Sequence, residues 1–303
     1  PLGVALRSRV RYKLLAIDLD GTLIDHHGHV PEVNIAAITR ARAASCTVVL
    51  CTGRALVECE AVFNLVGRND PAIVAGGAMV ACPKSGQTVE RFALDHALVQ
   101  DVVGHLLERN HAAMVLKDPA ATGYDYLVVS PRGNAGIDPA SAWWFARMNV
   151  RLQVVPRLSD DEHPHDTIRV GAYQANDPVD TLATGLQNRF GQASTLQHFQ
   201  GVVLPKDRRD GGVHSVHIVE VFHQHADKWQ ALSRLASRLG IDPAHTAAIG
   251  DQANDLTMLQ HAGLGVAMGN AIKPVKDVAK RQTLPCEQGG VAHAIEQMLS
   301  GAW

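Results

Sequence analysis

The chain has 303 residues, 46% of them apolar and 19% charged, with a formal charge of −2. That length and composition describe a globular protein able to bury one large core or two smaller ones, and two domains is the expectation. The charge balance excludes a general attraction to nucleic acid or acidic membranes, and no apolar run approaches the length of a transmembrane helix. In chain order, "KLLAID" predicts a buried strand, and Pro31 opens a helical pattern that places Val33, Ile35, Ala36, Ile38 and Ala43 on one side. "TVVLCTGR" is a strand followed by Thr-Gly, with a helix through "ALVECEAVFNLVG" that stops at Gly67. "PAIVAGGAMV" is a further strand ending in glycines. From about residue 85 to 222 the pattern is mixed: "TVERFAL", a helix over 95–109, "AAMVLK", "YDYLVVS", a helix near 139–148, "VRLQVV", "DTIRVGAY", a helix over 178–189 and "VHSVHIVEVF". Strict β-α alternation then resumes with the helix "DKWQALSRLASRLG", the strand "HTAAIGD", the helix "ANDLTMLQHAG" and the strand "LGVAMGNA".

The alternation at both ends predicts an α/β fold with a Rossmann-like parallel sheet, helices on both faces and ligands at the carboxyl ends of the strands. The middle predicts an inserted α+β domain with an antiparallel sheet. The expected division is a discontinuous core over 1–84 and 223–303, carrying an insert over 85–222. Five scattered cysteines (Cys46, Cys51, Cys59, Cys82 and Cys286) without a C-x-x-C pair argue for reduced thiols, a cytoplasmic setting and a role as small core-filling residues. The basic N-terminal stretch lacks the long apolar core of a signal peptide.

The polar residues that need explaining lie just after apolar strands. Asp18 and Asp20 close the first strand beside Gly21, although Asp disfavours strands and two neighbouring carboxylates repel each other. They are tolerable if they share a proton or bind a cation between them. "GDQAND" adds Asp251 and Asp255 at another strand end, bringing the carboxylates to four if the strands are adjacent. Oxygen-only ligands suit a hard ion such as Mg²⁺ working with a substrate phosphate, whereas zinc would want His or Cys. Thr52 in "CTGR" offers a hydroxyl with free backbone N–H groups nearby, a small anion cradle or a plain helix N-cap. Lys228, in the first turn of a helix, opposes the helix dipole unless an anion meets it. Asn254 lies between two acids and can donate to a phosphate oxygen. Together these residues fit phosphoryl transfer: a cation and Lys228 neutralise the phosphoryl group, Thr52 and Asn254 hold its oxygens, and one Asp attacks phosphorus. A second Asp donates a proton to the leaving alcohol and then activates water.

"DLDGTL", "TGR", Lys228 and "GDQANDLTML", in this order, resemble the four motifs of the haloacid dehalogenase superfamily. "AGGAMV", "GVAMGNA…VKDVA" and "EQGGVAHAI" resemble segments of its Cof-like sugar-phosphate phosphatases, a branch with a large C2-type cap between the second and third motifs. The resemblance implies that Asp18 is the nucleophile and Asp20 the general acid/base. It implies that Asp18, the Asp20 backbone carbonyl and Asp251 hold Mg²⁺, with Asp255 in or near that shell. Thr52, Gly53 and Lys228 would bind the phosphoryl group, with Asn254 assisting, and Arg54 and Gly77 would lie on the substrate side. The acid at Asp20 favours a phosphatase or phosphomutase over the dehalogenases and transport ATPases of the superfamily. The expected substrate is a small phosphorylated metabolite, such as a sugar or polyol phosphate, selected by the cap. The enzyme alternative is a phosphomutase using the same aspartate pair, and the non-enzyme alternative is a binding protein on this scaffold. Two departures from the branch are Gly76, where Asn is usual, and Trp229, where Gly is common.

Outside these motifs, His26, His27 and His29, then His163 and His165, then His214, His217, His223 and His225 form three clusters read as exposed polar loops. The second also carries acids that could join it in binding a transition metal. Trp143, Trp144 and Phe145 read as cap core or as a contact between two copies in a homodimer. Arg208 and Arg209 in "PKDRRDGG" read as a solvated turn.

Overall fold

The computed structural model describes residues 11–175, 180–202 and 215–303. Its strands, in chain order, are β1 (Leu14–Asp18), β2 (Thr47–Cys51), β3 (Ala72–Val74), β4 (Met79–Ala81), β5 (Thr88–Arg91), β6 (Ala113–Lys117) and β7 (Tyr126–Val129). They continue with β8 (Leu152–Val155), β9 (Thr167–Ala175), β10 (Ser194–Val202), β11 (Ser215–His223), β12 (Thr246–Gly250), β13 (Leu264–Ala267) and β14 (Arg281–Gln282). Two compact units divide the chain. The first comprises the residues up to Gly53, Ala61–Lys84 and Asp227–Trp303; the second comprises Arg54–Glu60 and Ser85–Ala226. Arg208, Arg209 and His214 lie outside the described residues.

In the first unit the strands run β14-β13-β12-β1-β2-β3-β4. All neighbours pair in parallel except β3 and β4. "LLAID", "TAAIG" and "LGVA" are buried at every position, as strands covered on both faces must be. β1 lies between β2 and β12, so the chain winds away from it in both directions. This is the switch point where open sheets of this kind leave a crevice at the strand ends. Ile17 pairs with Ile249 on one side and Asp18 with Cys51 on the other, which aligns the ends of three strands.

"PAIVAGGAMV" forms a tight hairpin rather than one strand. Ala75, Gly76 and Gly77 all have positive φ (50°, 65° and 98°) and turn β3 back into β4. The helix Glu32–Ala43 buries Asn34, Ala37, Ile38 and Ala41, while Val33 is exposed. The expected apolar stripe is thus rotated, because Asn34 is drawn inward: its Oδ1 accepts the Ala292 N–H at 3.0 Å. The segment after Thr52 is a short 3-10 turn, Val57–Cys59, leading into the helix Glu60–Val66; Thr52 precedes that helix without capping it.

The second unit carries a sheet ordered β10-β11-β9-β6-β7-β8, antiparallel except for the parallel pair β7/β8. One face packs Val115, Leu127, Val170, Ala172, Val219 and Val221 against Val99, Val103, Leu182 and Leu186 of the helices His96–Leu107 and Asp180–Phe190. Side-chain alternation sends the intervening residues to the other face. There Arg169 Nη1 donates to Glu220 Oε2 at 3.3 Å, the Tyr173 hydroxyl donates to Glu220 Oε1 at 3.0 Å, and Arg169 Nη2 donates to the Tyr126 hydroxyl. The Tyr126 hydroxyl and Trp144 Nε1 in turn donate to Glu58 Oε1, at 3.4 and 3.0 Å. Phe145 is core, whereas Trp143 and Trp144 are half-buried. β10 was not expected from sequence: "STLQHFQGV" alternates weakly and carries Gln and His on an edge strand, where pairing on one side suffices.

Candidate active site

The end of β1 is an apolar strand that stops because Gly21, at φ +79°, turns the chain sharply. The Leu23 N–H returns to the Asp18 carbonyl at 3.2 Å and the Ile24 N–H to Leu19 at 2.8 Å, fixing the loop. Asp18 is buried under it, and Asp20 is exposed at its rim. A Cβ at Gly21 would lie 2.6 Å from Asp251 Oδ2, so only glycine lets the two strand ends approach this closely. The Thr22 hydroxyl donates to Asp251 Oδ1 at 2.8 Å, and Asn270 Nδ2 donates to the Gly21 carbonyl at 2.8 Å.

Lys228 enters from the first turn of the helix Lys228–Arg238, which Asp227 caps by accepting the N–H groups of Trp229 and Gln230. Its Nζ donates to Asp18 Oδ1 at 2.6 Å and to Asp255 Oδ1 at 2.7 Å, and its side chain is fully buried. The cation in the first turn is therefore met by carboxylates. Gly77 permits this placement: a Cβ there would come within 2.3 Å of the Asp227 carbonyl and 2.7 Å of the Lys228 nitrogen. Asp255 Oδ2 accepts the backbone N–H groups of Asp251 and Gln252, at 2.9 and 3.0 Å, which shapes the turn after β12.

Asp18, Asp251 and Asp255 each offer an oxygen within 4.8 Å of the others. With all three ionised, the single ammonium of Lys228 leaves two formal negative charges in a buried space. Burial and the charge of Asp255 push the Asp18 carboxyl well above the usual carboxylate range, against the pull of Lys228. Burial also pushes Asp251 up, to about 6, with Asp255 adding to it and the Thr22 hydrogen bond opposing it. Lys228 is held protonated by Asp18 and Asp255, which together outweigh the cost of its burial. An all-oxygen donor set with surplus negative charge fits a hard divalent cation.

The structure thus gathers Asp18, Lys228, Asp251 and Asp255. Thr52 lies in the same unit at the end of β2, buried, with its N–H on the Ile73 carbonyl at 2.9 Å and its own carbonyl accepting from Gly76 at 2.9 Å. Gly53 follows with open space around it. Asn254 is exposed on the turn beside Asp255. Arg54 belongs to the second unit, where its guanidinium lies 5.9 Å from the centre of the Trp144 ring. Sequence reasoning missed the positioning roles of Thr22, Asn270 and Asp227. Thr22 follows the aspartate pair directly, but its partner is 229 residues away and no local signal names it.

A family model described as haloacid dehalogenase-like hydrolase matches residues 15–295. A relative from Bacillus subtilis, putative phosphatase YxeH, is 29% identical over 294 residues, covering 95% of this chain and 98% of its own. A second from that organism, the 5-amino-6-(5-phospho-D-ribitylamino)uracil phosphatase YwtE, is 26% identical and covers 96% of this chain and 99% of its own. The solved structure of a haloacid dehalogenase-like hydrolase from B. subtilis superposes with a TM-score of 0.71 at 26% identity, covering 94% of this chain and 99% of that one. With nearly its whole length matched, the chain belongs to the haloacid dehalogenase-like hydrolase family.

Proposed function

We propose that the protein is a Mg²⁺-dependent phosphatase that hydrolyses a small phosphorylated metabolite through an aspartyl-phosphate at Asp18. The observation that carries this reading is the buried Asp18–Lys228–Asp255 arrangement beside Asp251 at the switch point of the sheet. Asp18 and Asp251, with the Asp20 backbone carbonyl, would hold the ion, which would supply positive charge to the phosphoryl oxygens and lower the repulsion met by an attacking carboxylate. Asp18 then attacks phosphorus with a carboxylate oxygen, and the bond from phosphorus to the substrate oxygen breaks. Asp20, exposed at the rim, gives its proton to the leaving alkoxide and afterwards takes one from the water that cleaves the acyl phosphate. Lys228 stays charged throughout and offsets charge on the transferring group, while Asp255 keeps its ammonium in place. Thr52 and Gly53 would receive phosphoryl oxygens from the neighbouring strand end, with Asn254 assisting.

The second unit is the substrate-selecting cap in this reading, and Arg54 and the residues up to Glu60 belong to it. A sugar or polyol phosphate is the substrate class, supported by the Cof-like motifs and by relatives such as YwtE, whose name gives a phosphorylated ribityl compound. Phosphate release from p-nitrophenyl phosphate and a panel of phosphorylated metabolites, with and without Mg²⁺, tests the proposal. Asp18→Asn is expected to abolish turnover while leaving the fold intact. Undiminished turnover in that variant would falsify the nucleophile assignment.

A further inference from the structure

Two turns of the first unit bring together a donor set unlike that of the carboxylate cluster. The loop after the first aspartates is folded by Asp25, whose Oδ1 accepts the N–H groups of His27 and His29 at 2.8 and 2.9 Å. The Asp25 N–H donates to the His29 carbonyl at 2.9 Å, and Gly28 at φ +81° closes the turn. This holds His26 outward, with its side chain 65% exposed and its Nε2 3.0 Å from Glu287 Oε1. Glu287 follows Cys286 in the chain, and the Cys286 side chain is buried. The Cys286 N–H is fixed on Asn270 Oδ1 at 2.9 Å, and Gly289 at φ +70° returns its N–H to the Cys286 carbonyl at 3.2 Å. One nitrogen of His26, the sulfur of Cys286 and one oxygen of Glu287 all lie within 4.8 Å of one another.

We propose that His26, Cys286 and Glu287 form a binding site for a borderline transition-metal ion, Zn²⁺ above all, separate from the carboxylate cluster. Imidazole, thiolate and carboxylate are the three zinc ligand types, and a tetrahedral ion at ordinary bond lengths sets its ligand atoms about 3.3–3.6 Å apart. The exposed His26 and Glu287 side chains can open to that spacing, while the buried Cys286 is held by its backbone. Three protein ligands leave a fourth position for water. A hard ion such as Mg²⁺ avoids sulfur, so the two sites sort metals by ligand chemistry. Binding forms a sulfur–metal bond and releases the Cys286 proton to solvent. The Asn270 side chain joins the two regions, accepting from Cys286 and donating to Gly21.

Cobalt titration of the chelator-treated 303-residue chain, with excess Mg²⁺ present, tests the site. One equivalent of Co²⁺ should produce a thiolate-to-cobalt charge-transfer band in the near ultraviolet, and Zn²⁺ should abolish it by displacement. His26→Gln and Glu287→Gln, both at exposed positions, should each weaken Co²⁺ binding at least about tenfold, the lower end of the loss seen when even an outer-shell partner is removed. Cys286→Ser should eliminate the band, whereas Cys51→Ser and Asp18→Asn should keep it. The Asp18→Asn result separates this site from the phosphatase reading. A wild-type protein with no band at one equivalent, or a band retained at unchanged affinity in both glutamine variants, would overturn the proposal.

Discussion

Lys228→Met removes one ammonium while keeping the bulk and length of the side chain, and it tests how the buried site is held together. In the wild type Nζ lies 2.6 Å from Asp18 and 2.7 Å from Asp255, with the exposures of the three side chains at 0%, 7% and 0%. These groups have little water to turn to when the cation goes. Asp255 keeps two backbone donors on its other oxygen, but Asp18 loses the partner opposing its burial. Removing one member of a buried ion pair costs about 3–5 kcal/mol. We expect a loss in that range for the metal-free protein, read by urea denaturation at pH 7.5. Two corollaries distinguish charge from packing. Adding Mg²⁺ should recover more stability in the variant than in the wild type, because a cation again neutralises Asp18. Adding Asp255→Asn to Lys228→Met should cost at least about 1 kcal/mol less than the sum of the single losses, as expected for groups in direct contact. A loss below about 1 kcal/mol for Lys228→Met, with additive behaviour in the double variant, would refute this account of the site.

Thr22→Val deletes the hydroxyl that orients Asp251 and should weaken Mg²⁺ binding about 10- to 100-fold, measured by titration calorimetry, with little change in the fold. In the second unit, His105 is buried against Phe190, and among the described residues neither ring nitrogen has a hydrogen-bond partner. Burial, with Arg109 and Arg189 adding to it, lowers its pKa from 6.5, so the folded chain resists its protonation. The stability this confers is full above pH 6.5 and is lost as pH falls through the lowered value. Thermal melts between pH 7.5 and 5 should show that decline, and His105→Leu should flatten it.

The parallel sheet was legible because "LLAID", "TAAIG" and "LGVA" are short, mainly apolar runs between helical patterns, as strands covered on both faces are. The clustering of polar residues at strand ends followed from the same pattern, since β1 and β12 had only to be neighbours for Asp18 and Asp251 to meet. What escaped the sequence was set by distant partners. Asn34 turned its helix inward for the Ala292 N–H, which overrode the stripe that Val33 suggested. β10 was hidden because an edge strand tolerates polar residues on both faces. Arg169 and Glu220 sat unnoticed in strands whose alternation showed one polar face without showing that the face buries a charged network. Lys228 was a faint signal on its own, a cation at the wrong end of a helix. The structure explains it by placing two carboxylates in contact with it.

The most direct test of the central claim is to trap the covalent intermediate. An acyl phosphate is reduced by borohydride, which converts the modified aspartate to homoserine, and peptide mass spectrometry then locates the change. During turnover of p-nitrophenyl phosphate, homoserine should appear at position 18, should require substrate, and should be absent in Asp18→Asn. Steady turnover with Asp18 unmodified, or the same modification at another carboxylate, would contradict the account.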